Sequence, residues 1–501
     1  MAAIDDVDDI VRRLAMQGVA MKHVTADSRT VARGDTFLAY PGAKADGRGY
    51  IPQAIVAGAG AVLWEREGYE WDPDWRIPNL GIARLRDVAG PLAAEVYGHP
   101  SRSLWMVGVT GTNGKTSCSQ WIAQGLGAAG RSCAVVGTLG LGFPGALAPN
   151  PNTTPDAIVL QKSLRHFVEV GAQAVAMEVS SIGLDQGRVN GTRFDVALFT
   201  NLSRDHLDYH RDMEAYGAAK ARLFTTPGLA AAVLNLDDAF GVRLAQSLTG
   251  STVERIGYSL AAGAAQRGGV ERWLEARDLA VGGGGVAFGL ASSWGEAAIE
   301  APLAGRFNVS NLLGVLGTLL ASGVALEEAA RYARTLQPVA GRMQRVGGGE
   351  RPLVVIDYAH TPDALEKVGV ATRDIARAQG GRLIVVFGCG GERDRGKRPI
   401  MGEAASRVAD LAIITSDNPR GEDPRAIVDD IVPAVRVPHE IELDRRAAVR
   451  LAVAMADARD VVLLAGKGHE AYQESAGVKH PYSDAAEALA ALDQTVGAGA
   501  A

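Results

Sequence analysis

A chain of 501 residues is too long for one hydrophobic core, and at about 150 residues per domain three domains are expected. With 47% hydrophobic and 22% charged residues and a mean hydropathy of +0.04, the composition is that of an ordinary globular protein and excludes a disordered chain. A net charge of −6 and a pI near 5.9 exclude the global basic field that holds nucleic acid, so any anionic ligand must be met by local groups.

The first hundred residues carry short strand-like runs such as "DTFLAY" (35–40) and an alanine-rich helical pattern over 51–63, and they end in the turn-rich "YGHPSRS" (97–103). The apolar run "SLWMVGV" (103–109) then meets a glycine loop, and "TSCSQWIAQGLGAAG" (116–130) has helical spacing with Gly130 placed as a C-terminal stop. Further apolar runs at 172–179, 195–200 and 231–236 lie between helical stretches, as buried parallel strands do. The tail of this part differs: 274–294 reads as paired strands around a glycine turn, followed by a helix at 308–323. The stretch 335–352 reads as a linker, and beyond it four more buried-strand candidates (353–359, 382–391, 411–419 and 461–470) alternate with helical segments. The expected fold class is therefore α/β, in three domains at 1–100, 101–338 and 339–501. The last two are expected to face each other across a cleft, because nearly every strand candidate runs into a polar cluster at its carboxyl end.

Three cysteines, Cys118, Cys133 and Cys389, have neither metal-ligand nor disulfide-framework spacing and fit a reducing compartment. The beginning "MAAIDDVDDIVRRL" is acidic where a signal peptide is basic, and no apolar run approaches the roughly 20 residues that span a bilayer. A cytoplasmic location without membrane insertion is the expectation.

The stretch "VGVTGTNGKTSCSQW" (107–121) almost spells a phosphate-binding loop. The usual pattern wants a glycine five places before Gly114, where Val109 stands between Gly108 and Gly111. Glycines there let backbone N–H groups close on phosphate oxygens, the helix adds its positive end, Lys115 a mobile charge and Thr116 a hydroxyl for Mg²⁺. The bland alternative is a glycine-rich turn with a solvated lysine. Glu178 closes an apolar strand, as a metal ligand or as a helix-capping acid. "TNLSRDHLDYH" places Asp205, His206, Asp208 and His210 just after a strand, either as a metal site, in which a histidine would be an unusual partner for Mg²⁺, or as a solvated acidic loop. Lys220 reads as a surface helix lysine. In the last domain Asp357 and His360 share a strand end. Arg393, Arg395, Lys397 and Arg398 follow a glycine run that suits a phosphate or carboxylate. Asp417, Asn418 and Arg420 sit in a proline-bounded loop able to meet both an amine and a carboxylate, and His469 and Glu470 end "AGKGHE". Together they describe a zwitterion cleft opposite a nucleotide loop.

In this order the motifs "DSRTVARGDTFLA", "GVTGTNGKTS", "NTTPD", "EVSSIGL", "NLSRDHLDYH", "FNVSNLLG", "DYAHTPDAL", "FGCGGERDRGKRP", "DNPR" and "GKGHE" closely resemble the Mur ligases, ATP-dependent amide-forming enzymes, over nearly the whole chain. The resemblance makes Thr-Gly-Thr-Asn-Gly-Lys-Thr the family form of the loop. It implies an N-terminal UDP-substrate domain, a central P-loop ATPase-like domain with a parallel sheet and a small antiparallel part, and a C-terminal Rossmann-like amino-acid domain. It places ATP on Gly111, Thr112, Asn113, Gly114, Lys115 and Thr116, with Asn308, Asp357 and His360 near the adenine and ribose. Mg²⁺ is implied near Thr116 and Glu178, and His206 becomes a ligand of a second Mg²⁺. Lys220 becomes a lysine whose amine CO₂ converts into a metal-binding carbamate. Lys115, Lys220, Glu178 and His206 form the implied catalytic set.

The UDP-linked acceptor is implied at Ser28, Asn152, Thr153, Thr154, Ser180, Gln186 and Arg188. The loop "DNPR" resembles that of the member that adds meso-diaminopimelate to UDP-N-acetylmuramoyl-L-alanyl-D-glutamate, with Arg393, Asp417, Asn418, Pro419, Arg420, Gly466 and Glu470 around the amino acid. Only that amino acid has a second amino-acid head, whose carboxylate Arg420 can grip, and a lysine would leave the guanidinium unpaired. A monomer is expected. The chain departs from the family at Ile182, where histidine is usual, and at Ala43 and Lys44, where His-Gln is common. A lysine-adding relative, a folylpolyglutamate-synthetase-like ligase and, in another class, a nucleotide-switched binding module are the competing readings.

Overall fold

A computed structural model describes residues 6–42, 45–282 and 285–498, so Ala43 and Lys44 lie outside the described residues. The fold is three-domain α/β. At the N-terminal end the strands Val24–Thr25, Thr36–Ala39, Ala61–Glu65 and Asn79–Ile82 form a parallel sheet in that order. Side chains alternate across it. Leu38 and Leu63 face Ile10, Leu14, Val88 and Leu92 of two helices, while Phe37, Ala39 and Val62 pack with Ile51 and Ala54. The pattern expected as helix over 51–63 is helical only through Ile51–Val56. Gly58 turns at φ +97, and a Cβ on Gly60 would lie 2.8 Å from the Gly34 carbonyl oxygen, so the rest of the run leaves as the strand Ala61–Glu65.

The chain packs as two compact units, one of Met1–Thr110, Ile122–Leu198 and Ala219–Ala232, the other of Gly111–Trp121, Phe199–Ala218 and Val233–Ala501. In the first, Trp105–Thr110 and Cys133–Gly137 both pair parallel with Ala174–Glu178, and the short strands Gly140–Phe143 and Ala146–Ala148 add an antiparallel edge. Every residue of Cys133–Gly137 and Ala174–Glu178 is buried, which is why these runs are apolar up to the terminal Glu178. The helix Lys115–Ala128 ends just before Gly130 at φ +80, the stop expected there. In the second unit Arg272–Gly282 and Gly285–Ser292 pair antiparallel with Gly282 opposite Gly285, the paired strands expected around a glycine turn.

The C-terminal sheet runs in the order Gln344–Gly347, Leu353–Asp357, Val461–Ala465, Leu383–Phe387, Leu411–Ile414, His439–Ile441, and all pairs but the first are parallel. The stretch expected as a linker thus contains an edge strand, because half-buried Gln344 and Val346 alternate with exposed Arg345 and Gly347 against Leu353–Asp357. Val461–Ala465 is last of the parallel strands in sequence yet central in space, and such a reversal of order opens a crevice at the carboxyl ends. Asp357, Asp417 and Gly466 stand at those ends. Beneath the crevice Arg445 and Asp484, both without exposure, share hydrogen bonds of 2.9 and 2.7 Å, and Arg445 also donates to the Ala465 carbonyl at 2.9 Å. Burial disfavours the Arg445 charge, but Asp484 more than offsets it and holds the guanidinium protonated. The pair pins the strand end from which Gly466–Glu470 departs. Among the described residues no helix is long and apolar enough to cross a membrane.

Candidate active site

The loop after Trp105–Thr110 has the backbone that a phosphate cradle needs. Gly111 sits at φ +150, where a Cβ would lie 1.9 Å from Thr200 Oγ1, and Gly114 at φ +87, where a Cβ would lie 2.5 Å from Asn311 Oδ1. Glycine is required at both. Between them the Asn113 carbonyl accepts from Thr200 Oγ1 at 2.6 Å and Asn201 Nδ2 at 3.0 Å, while the Asn113 N–H donates to Asn201 Oδ1 at 3.0 Å. Lys115 curls back, its Nζ donating to the carbonyls of Gly111 (3.0 Å) and Thr112 (2.8 Å). Thr112 Oγ1 donates to the Ser203 carbonyl at 3.1 Å. Behind the loop the buried Asn308 accepts from Asn311 Nδ2 at 3.2 Å, so it reaches Gly114 through Asn311.

Residues far along the chain close on this loop within the same compact unit. Arg342 Nη2 donates to Thr116 Oγ1 at 2.9 Å, with its guanidinium 4.7 Å from the Tyr358 ring centre. Asn113 Nδ2 donates to Asp363 Oδ2 at 3.1 Å, and Arg204 pairs with Asp394 at 2.9 Å. Asp205 Oδ2 lies 3.4 Å from His206 Nε2 and 3.6 Å from His360 Nε2, so one buried carboxylate faces two imidazoles. Burial by itself raises the Asp205 carboxyl, but His206, with His360 and Lys397 adding to it, outweighs burial and holds it well below the usual carboxylate range. His206, half-exposed, is a left-handed residue at φ 54 just before the helix Leu207–His210. Asp357 accepts from the Met343 N–H at 2.8 Å, and burial raises its carboxyl although Arg342 opposes the shift.

In the first unit Glu178 ends its strand 1% exposed, its Oε1 accepting from the Thr138 N–H at 2.8 Å and its Oε2 from Thr138 Oγ1 at 3.1 Å. A Cβ on Gly137 would lie 2.2 Å from Oε1, so the neighbouring strand keeps glycine there. Thr138 meets Thr153 at 3.0 Å, and Thr154 Oγ1 reaches the Glu178 carbonyl and Ser180 Oγ, both at 3.0 Å. Ser180 caps Ser181–Asp185 through the Gly183 N–H. Arg188 donates to the Thr154 carbonyl at 2.8 Å and to Gln186 Oε1 at 2.7 Å. Thr153, Thr154, Ser180, Gln186 and Arg188 thus form one network around Glu178, with Asn152 exposed at its margin. Ser28 lies in the N-terminal sheet domain, buried, donating to Gln53 Oε1 at 2.9 Å. Ile182, where the family has histidine, is half-buried in the helix that Ser180 caps. Lys220, read from its neighbours as a surface lysine, is 1% exposed.

The C-terminal crevice gathers the remaining candidates. Asn418 Nδ2 donates to Glu470 Oε2 at 2.9 Å, while Asn418 Oδ1 accepts from Lys467 Nζ at 2.6 Å and from the Glu474 N–H at 2.8 Å. Asp417 Oδ1 lies 3.5 Å from Lys467 Nζ. A Cβ on Gly466, at φ +113, would lie 3.5 Å from Asp417 Oδ2. Arg420, left-handed at φ 52, donates from Nη1 to the Gly391 carbonyl at 2.7 Å. A Cβ on Gly391 would lie 2.0 Å from the Pro419 carbonyl oxygen, which fixes how closely the two loops meet. Of the basic run behind the glycines, Arg395 and buried Arg398 pair with Asp430, Arg398 also with Glu422, and Lys397 donates to the His360 carbonyl. Arg393 is exposed and, among the described residues, has no acidic partner.

Lys467, Arg342, Asp363 and Asn201 carry this geometry and were not singled out from the sequence. Lys467 had a signal, a lysine inside a glycine-flanked strand end between two flagged positions. The others act across 88 to 250 positions of sequence, where no local pattern points to them.

Comparison with known proteins matches residues 109–319 to the Mur ligase middle domain, 341–468 to the Mur ligase glutamate ligase domain, and 20–97 to the Mur ligase family catalytic domain. The chain is 49% identical over 478 residues to the UDP-N-acetylmuramoyl-L-alanyl-D-glutamate--2,6-diaminopimelate ligase of Nitrosomonas europaea, covering 93% of this chain and 92% of that one. It is 50% identical over 480 residues to the protein of the same name from Pseudomonas aeruginosa, covering 95% and 96%. A solved structure of a ligase with that name superposes with a TM-score of 0.66 at 38% identity over 95% of each chain. The MurF ligase of Thermotoga maritima in complex with ADP shares the fold at 18% identity, with a TM-score of 0.66 over 95% of this chain and 99% of that one.

Proposed function

The chain belongs to the Mur ligase family, ATP-dependent ligases that form amide bonds, and on that premise we propose that it joins meso-2,6-diaminopimelate to UDP-N-acetylmuramoyl-L-alanyl-D-glutamate in peptidoglycan precursor synthesis. The observation that carries the reading is that one compact unit holds both the phosphate loop and the Asp417–Arg420 crevice, tied together through Arg342, Asp363 and Asp394. The matched regions 20–97, 109–319 and 341–468 support a division at 1–100, 101–338 and 339–501 into acceptor, nucleotide and amino-acid domains. The reading takes the enzyme as a monomer acting in the cytoplasm.

ATP lies on Gly111–Thr116 with Asn308, Asp357 and His360 towards its nucleoside. The loop's N–H groups and Lys115 draw charge from the γ-phosphoryl group as it passes to the D-glutamyl γ-carboxylate, breaking the bond to ADP and giving an acyl phosphate. The acceptor rests on Ser28, Asn152, Thr153, Thr154, Ser180, Gln186 and Arg188. The amino acid, held by Arg393, Asp417, Asn418, Pro419, Arg420, Gly466 and Glu470, attacks the carbonyl through a neutral amine. Phosphate leaves with the bonding pair as the amide forms. Enclosure of the crevice keeps water from the acyl phosphate.

Mg²⁺ would supply neutralisation of the phosphate charge, one ion being held by Thr116 and Glu178 and a second by His206. Among the described residues no three His, Cys, Asp or Glu side chains gather into a cage. Mg²⁺ usually takes one or two protein groups and completes its shell with phosphate oxygens and water. A carbamate on Lys220 would add an anionic ligand, and that side chain is 1% exposed. Lys220→Ala is expected to lose at least 100-fold in turnover and to recover part of it when a short carboxylic acid is added. Absence of recovery at any concentration of acid would remove the carbamate from the mechanism.

The function itself is tested by ADP release in the presence of the UDP-linked acceptor, comparing diaminopimelate, lysine and glutamate. Release that depends on diaminopimelate is expected. Dependence on lysine or glutamate would assign another ligase of the family, and turnover independent of any amino acid would assign a nucleotide switch.

A further inference from the structure

Lys467 has no exposure, yet its ammonium stands among Asn418 Oδ1 (2.6 Å), Glu470 Oε2 (2.8 Å) and Asp417 Oδ1 (3.5 Å), with the Tyr472 ring centre 5.5 Å away. An ammonium only donates hydrogen bonds. Whatever atom of Asn418 faces it must therefore be the amide oxygen. The Glu474 N–H, at 2.8 Å, takes the second lone pair of that oxygen. With Oδ1 saturated, the amide can offer its surroundings only Nδ2, one hydrogen of which goes to Glu470 Oε2 at 2.9 Å. The same ammonium also donates to Glu470 Oε2 at 2.8 Å, beside that amide. Lys467 thus imposes an order on the crevice: an amide donor from Asn418 next to an anionic acceptor from Glu470.

We propose that Lys467 is a positioning residue for the amino-acid substrate, fixing the Asn418 amide with its donor towards the substrate carboxylate and Glu470 as the acceptor for the substrate amine. This rests on the reading of the crevice as the amino-acid site. The polarity matches a zwitterion, whose carboxylate needs donors and whose ammonium needs an acceptor. It reverses if the amide turns over, because Oδ1 would then face the carboxylate and repel it. Without Lys467 the amide oxygen keeps the Glu474 N–H alone, and buried Asp417 and half-buried Glu470 lose their common counter-charge.

The test compares steady-state kinetics of the full-length enzyme with diaminopimelate, ATP and the UDP-linked acceptor. Diaminopimelate-dependent turnover by the unaltered enzyme is measured first, and its absence overturns the functional reading rather than this one. Given turnover, Lys467→Met is expected to raise the KM for diaminopimelate at least tenfold while the KM for ATP stays within twofold. On an Asn418→Ala background the same substitution should raise the KM for diaminopimelate by less, because the part of its effect that passes through that amide is already lost. A merely structural lysine would shift both KM values together, lower the melting temperature, and give equal effects on the two backgrounds; that result overturns the proposal. If Lys467→Met does not fold, Asn418→Asp decides the matter. It keeps an oxygen for Lys467 but removes the donor, so the KM for diaminopimelate is expected to rise at least tenfold, and a change within twofold overturns the proposed orientation.

Discussion

Lys115→Ala is expected to lower the ATP-dependent turnover by about 10²–10³-fold while leaving the fold and much of the nucleotide affinity in place, because preorganised charge acts on the transition state more than on the ground state. The geometry separates the two contributions. The cradle is held by groups other than the lysine: Thr200 and Asn201 grip the Asn113 carbonyl, and Gly111 and Gly114 occupy conformations set by contacts with Thr200 and Asn311. Removing the side chain takes away the ammonium that rests on the Gly111 and Thr112 carbonyls. Those carbonyls are part-buried rather than sealed from water, so their loss of a partner is mild. Lys115→Arg is expected to be almost as poor, since a planar guanidinium cannot take the place of a compact mobile charge. The check is single-turnover phosphoryl transfer alongside a nucleotide titration and a melting curve. Retention of turnover within about fivefold would show that the loop backbone alone neutralises the transferring group.

What the sequence disclosed depended on how local each feature is. The phosphate loop was legible because glycine, lysine and threonine must follow one another where a strand meets a helix. The failed pattern at Val109 now has a physical reason: Val109 is a buried strand residue paired with Glu178, and the unusual backbone begins two residues later at Gly111. Parallel strands were legible because burial on both faces leaves continuous apolar runs. The alanine–glycine run after Ile51 was ambiguous, since alanine serves helix and buried strand alike and only the turn at Gly58 decides. Lys220 was misread from its neighbours because Met213–Ala221, rich in small residues, has no marked apolar stripe to show which face is covered. Arg342 could not be found at all without coordinates. Its contact with Thr116 spans 226 positions and follows from how the chain re-enters the unit, not from any periodicity.

Arg420→Ala is expected to raise the KM for diaminopimelate on the order of 10²-fold, with the KM for ATP little changed, because removing one partner of a desolvated charge pair costs about 2–5 kcal/mol. The backbone of this loop is held independently of the guanidinium: the Arg420 N–H donates to the Glu474 carbonyl at 3.1 Å, and the Arg420 carbonyl accepts from the Ala476 N–H at 2.6 Å. Alanine tolerates the same left-handed φ no worse than arginine does, so the substitution removes the side chain without adding strain. Among the described residues the guanidinium is hydrogen-bonded from Nη1 to the Gly391 carbonyl, with Glu474 a distant 3.8 Å from Nε. That arrangement aims the group without saturating it, leaving donors for a carboxylate. Discrimination should follow the same logic. Lysine lacks the second amino-acid head and its carboxylate, so its use by the unaltered enzyme is expected to be poor, and in Arg420→Ala the preference for diaminopimelate over lysine is expected to shrink towards unity as the loss falls on one substrate alone. Equal losses with both amino acids, or an equal rise in the KM for ATP, would place Arg420 in the scaffold of the loop instead of in contact with the substrate.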